Sequence, residues 1–74
     1  MPDNYLDLTE QRCPQALLLF KRFWLKMPKG SVANVCLQDR ASYRDIERYM
    51  IAQSISYTLH QSGDEINISL KKDK

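Results

Sequence analysis

Cys13 is the residue in this chain best suited to do chemistry. It stands between Arg12 and Pro14, where a polar stretch gives way to an apolar helical pattern. A thiol reacts as its thiolate, and only a few per cent of an ordinary thiol is ionised at neutral pH. The first N–H groups of a helix and the positive end of its dipole stabilise an anion. A cysteine at a helix N-cap is therefore expected to be more acidic, and Arg12 acts in the same direction. Arg40 and Arg44 are expected on the same rim, partly offset by Asp39 and Asp45. The plain alternative for Cys13 is a small buried apolar residue, since free cysteines are often buried. A junction between Arg and Pro is a poor place for one.

Other residues of chemically capable types have plainer readings. Cys36 falls near the end of a strand, on its wet face. It is read as structural, with a resolving thiol for Cys13 as the alternative. His60 is the single histidine, and its spacing from the two cysteines has no zinc-site pattern. It reads as a wet-face strand residue. Phe20, Phe23, Trp24 and Tyr57 would suit base stacking, but their spacing fits a core face better. Lys21, Arg22 and Lys26 read as a solvated helix face. No metal or cofactor is expected.

The elements that must position Cys13 follow from periodicity. Residues 5 to 8 alternate and predict a short strand with Leu6 and Leu8 on one face. Pro14 to Met27 predicts a helix, with proline favoured at its first position. Leu17, Phe20, Phe23, Trp24 and Met27 form its buried stripe, and Pro28-Lys29-Gly30 ends it. Val32 to Leu37 predicts a strand with Ala33, Val35 and Leu37 inward. Ser42 to Gln53 predicts a second helix. Ser42 is its N-cap, Asp45 completes a capping-box variant, and Ile46, Tyr49, Met50 and Gln53 share a face. Ile55 to His60 and Ile66 to Leu70 predict a hairpin around Gly63. Ile55, Tyr57, Leu59, Ile66, Ile68 and Leu70 would face the core.

The order is βαβαββ. Alternating strands leave one sheet face wet, so both helices must cover the other. The expected fold is α+β, a two-layer sandwich with a four-stranded mixed sheet. The chain has 74 residues, which predicts one domain over residues 1 to 74, frayed from Lys71 onward. Such a size leaves room for one core and a surface site. A net charge of +2 is too small to argue for nucleic-acid binding. No apolar run approaches a membrane span, and residues 1 to 4 have no signal-peptide character. Two cysteines are too few for a secreted disulfide scaffold, so the expectation is a cytoplasmic protein with reduced thiols.

Leu6-Asp7-Leu8, then Cys13-Pro14 and an apolar helix, resemble the TusA/SirA family of small sulfur carriers, which carries a Cys-Pro-x-Pro motif. Pro28-Lys29-Gly30, Asp39, Ser42, Asp45 and Ile46 extend the resemblance through most of the chain. The sequence departs from the family where Ala16 replaces the second motif proline, at Thr9-Glu10, and at Arg40. The resemblance implies a persulfide held on Cys13, with Pro14 starting the helix and Arg12 giving electrostatic support. It implies a persulfide donor such as a cysteine desulfurase, and a downstream acceptor protein. A second reading is a non-catalytic regulatory or interaction domain on the same fold. A third is a small RNA-binding module, which rests on fold analogy.

Overall fold

The computed structural model describes residues 4–12 and 14–72. Its elements are β1 (Asn4–Asp7), α1 (Gln15–Lys26), β2 (Val32–Leu37), α2 (Arg40–Ala52), β3 (Ser56–Ser62) and β4 (Glu65–Lys71). The four strands form one sheet in the order β1-β2-β4-β3. β1 and β2 are parallel, and β4 runs antiparallel to both β2 and β3. It follows that β1, β2 and β3 all point the same way, and their C-terminal ends share one end of the sheet.

The alternation predicted for the strands sorts side chains as the register requires. Leu6, Val35, Ile68 and Leu59 form one row across the sheet, and Ala33, Leu70 and Tyr57 another. Most of this face packs with Ala16 and Phe20 of α1 and Ile46 and Met50 of α2 into one cluster, so both helices cover the same side. Phe20 meets Tyr49 edge-on at 6.0 Å between ring centres, which joins the two helices. No helix among the described residues is long and apolar enough to cross a membrane.

Several particulars differ from the sequence reading. α1 starts at Gln15 with Pro14 as its cap, one residue later than expected. Its buried residues are Ala16 and Phe20, with Met27 just beyond, whereas Leu17, Phe23 and Trp24 are only partly buried. Trp24 lies at the margin, where the Lys72 ammonium sits 5.0 Å from its ring centre and donates to its carbonyl oxygen. The strand β4 runs through Lys71, and Lys72 is bonded to Gly30 and Ser31, so fraying does not begin at residue 71.

The second helix begins two residues before the predicted Ser42 cap. Asp39 is the cap residue, and Ser42, fully buried in the first turn, donates its hydroxyl to Asp39 Oδ2 at 2.7 Å. Gln53 is exposed past the helix end. Leu59 points toward the helix side but remains 44% exposed, because the edge strand extends beyond the cover the helices give. The hairpin turn is tighter than expected. Ser62 pairs with Glu65, leaving Gly63 and Asp64 as a two-residue turn with Gly63 at φ 60°, a conformation that favours glycine.

Candidate functional site

The loops that follow β1 and β2 are neighbours because those strands are parallel and adjacent. This is the end of an open α/β sheet where loops and helix N-termini gather ligands. The first loop is fixed by short-range bonds. Both the backbone N–H and the hydroxyl of Thr9 donate to Asp7 Oδ1, at 2.9 and 2.7 Å. These bonds hold the Asp7 carboxyl below its ordinary pKa, the hydroxyl contributing most. The Gln11 N–H closes a turn on the Leu8 carbonyl. Leu8 is fully buried and donates its own N–H to the Cys36 carbonyl at 2.7 Å, which pins the loop to β2.

Cys13 lies outside the described residues. The residues on either side of it are placed. Arg12 and Pro14 are both exposed. The Ala16 N–H donates to the Arg12 carbonyl at 3.0 Å. A proline at position 16 has no N–H and would not make this bond. The departure at Ala16 therefore leaves the first turn intact, and the small side chain is fully buried in the core. The first turn of α1 contains no acidic residue, so no carboxylate on the helix itself opposes an anion there.

The opposite wall comes from the loop after β2. Thr9, Glu10, Gln11 and Arg12 line a shallow cleft with Gln38 and Asp39. The Ser42 bond to Asp39 holds that wall against the start of α2. Arg12 belongs to this cleft. Arg40 and Arg44, expected on the same rim, line a second cleft with Tyr43, Glu47, Leu59, Gln61 and Ile66. The two clefts meet at the start of α2, where Asp39 and Arg40 are consecutive.

Cys36 is placed differently from its sequence reading. It does lie on the face away from the helices, but only 3% of it is exposed. Its thiol donates to Glu65 Oε1 at 2.9 Å. Burial, the Glu65 bond and the Glu65 charge together push its pKa up to about 11. A thiol held in that way is neutral at physiological pH and a poor nucleophile. The Tyr5 hydroxyl on the adjacent strand interacts electrostatically with this thiol, and burial and nearby charge raise its own pKa. Sequence reasoning missed Glu65 and Tyr5 as partners of Cys36, since they lie on β4 and β1.

His60 is exposed on β3, opposite Asn67. Among the described residues, no group of three or more His, Cys, Asp or Glu side chains is arranged to hold a metal ion. Phe20 is in the core, and Phe23, Trp24 and Tyr57 are partly buried against it.

A family model described as Sulfurtransferase TusA matches residues 4–72. The fold is similar to the crystal structure of a SirA-like protein from Desulfitobacterium hafniense, with a TM-score of 0.73 and 14% sequence identity. That match covers 96% of this chain and 99% of the other. No curated protein matches this chain.

Proposed function

The chain belongs to the TusA sulfurtransferase family, and we propose that it carries sulfane sulfur as a persulfide on Cys13. The observation that carries this reading is the family match, which runs through Cys13-Pro14 at the junction of β1 and α1. The surroundings support it: an exposed Arg12, a helix start without acidic residues, and a second thiol that is buried and neutral.

In the proposed step, the Cys13 thiolate attacks the outer sulfur of a donor persulfide. The donor's S–S bond breaks, and its inner sulfur leaves as a thiolate. A new S–S bond forms on Cys13, and no external oxidant or reductant is consumed. Delivery repeats the exchange, with Cys13 as the leaving thiolate. Arg12 and the start of α1 stabilise the negative sulfur at both stages. The donor is a persulfide-bearing protein such as a cysteine desulfurase, and the acceptor is a second protein. Work in the cytoplasm suits the free thiols, because that compartment keeps them reduced.

Intact-mass measurement after incubation with a cysteine desulfurase and cysteine tests the reading. A gain of one sulfur on Cys13, removed by dithiothreitol, is the expected result. A folded chain that takes up no sulfur would favour the non-catalytic interaction domain.

A further inference from the structure

β3 is an edge strand of seven residues, and no described strand pairs with its outer side. Six of those seven residues are exposed. Natural edge strands are usually blunted by charge, proline or shortness. The other edge, β1, is four residues long and contains Asp7. β3 reads Ser-Tyr-Thr-Leu-His-Gln-Ser, with no proline and no Lys, Arg, Asp or Glu. It is a long, unprotected row of backbone donors and acceptors, and what satisfies such a row is another extended chain.

The adjoining cleft narrows the chemistry of that chain. Its floor is apolar, with Leu59 at 44% exposure and the buried Ile66 beside it. Its wall is the first two turns of α2, which contribute the exposed Arg40 and Arg44. Glu47 is the one acidic residue of the lining, and its carboxylate already accepts the Tyr43 hydroxyl at 2.7 Å. The cleft thus offers apolar contact beside two cations.

We infer that the β3 edge and the Arg40–Arg44 cleft together dock an extended acidic segment of a partner protein. The segment adds as a fifth strand. One of its apolar side chains lies on Leu59, and carboxylates on the same side meet Arg40 and Arg44. The C-terminal end of β3 lies at the same end of the sheet as the loops flanking Cys13. A partner held there approaches the same end of the sheet as the proposed sulfur site, from the opposite edge. The inference goes beyond the sulfur-carrier reading and does not depend on it.

The test selects binders from a displayed library of short random peptides, using the full chain with Cys13→Ser so that no sulfur chemistry contributes. Selected sequences should be rich in Asp and Glu with alternating apolar residues. A synthetic peptide of the consensus should slow hydrogen exchange at alternate β3 amides. Arg40→Glu with Arg44→Glu should weaken its binding about tenfold or more and flatten its salt dependence. Leu59→Ser, at an exposed position that leaves the core intact, should weaken it several-fold. Selection of basic or uncharged sequences, or protection on another surface, would overturn the inference. So would β3 protection that rises with protein concentration alone, which would mean that a second copy occupies the edge. Sulfur loading is read separately by mass, so failure of either reading leaves the other standing.

Discussion

The two cysteines lie in segments built to opposite ends. Cys36 is on an inner strand of the sheet, buried on the face away from the helices, with its thiol donating to the Glu65 carboxylate. The segment around Cys13 is a surface junction. Its neighbours Arg12 and Pro14 are exposed, its loop is held by Asp7, Leu8 and Ala16, and the helix beyond starts without acidic residues. Burial and a carboxylate partner raise a thiol's pKa, while a helix N-terminus and an arginine lower it. On the proposed reading, two thiols in one small domain are kept apart in reactivity by position, with no general base.

The largest expected effect breaks the comparison outright if it fails. Cys13→Ser should abolish persulfide loading by a cysteine desulfurase, because a hydroxyl without a base is too weak a nucleophile. Cys36→Ser should load nearly as well as the natural chain. Loss of loading in the Cys36 variant, with the fold intact by circular dichroism, would reverse the assignment. Next in size is alkylation. At pH 8 a thiol with a pKa near 11 is ionised to only about one part in a thousand. Iodoacetamide should therefore label Cys13 at least about a hundredfold faster than Cys36, as read by peptide mass mapping.

Much of this arrangement was legible in the sequence, and the exceptions share a cause. Periodicity reports which face a residue points to, and it placed every strand and both helices. It does not report what covers that face. Leu59 alternates correctly and is still half open, because β3 is an edge. Cys36 alternates correctly and is still buried, on an inner strand where Glu65 reaches its thiol from a strand distant in sequence. Ala16 is fully buried, but a lone alanine is too small to stand out in an apolar stripe. Asp39 and Ser42 form one local motif, which reads from either end. The spacing favours Ser42 as the cap, whereas the helix starts at Arg40 and Ser42 donates back to Asp39. Pro14 and the apolar stripe led to the expectation of Cys13 as the helix cap; the structure gives Pro14 that place, and Cys13 itself lies outside the described residues.

The stability of the fold should also report the state of Cys36. Its folded pKa is raised from about 9 to about 11. A group raised on folding contributes stability that is complete below its unfolded pKa. That contribution is lost as pH rises through the folded value. Relative to Cys36→Ala, the natural chain should therefore lose stability between about pH 9 and pH 11. The loss is bounded by about 2–3 kcal/mol. Tyr43 is also raised, to about 12, by burial and its bond to Glu47, but it titrates in both chains and cancels in the difference. Equal pH dependence of the two chains in urea titrations would mean that Cys36 is not held neutral by its surroundings.

The smallest effect sharpens the other side of the comparison, the rigidity of the rim. Ser42 is fully buried, and its hydroxyl is bonded to Asp39, which lines the cleft opposite Arg12. Ser42→Ala removes the donor and leaves Asp39 as the cap, so the helix keeps its start. The cost should be about 1 kcal/mol, the worth of one partly buried hydrogen bond, visible as a lower urea midpoint with an unchanged slope. The same variant should slow sulfur loading only slightly, since no part of Ser42 touches the thiol chemistry as proposed. Cys36 alkylation should not change at all, because its bond to Glu65 on β4 is independent of α2. If Ser42→Ala instead exposes Cys36 to iodoacetamide, the two regions are coupled through the core, and their separation by position alone does not hold.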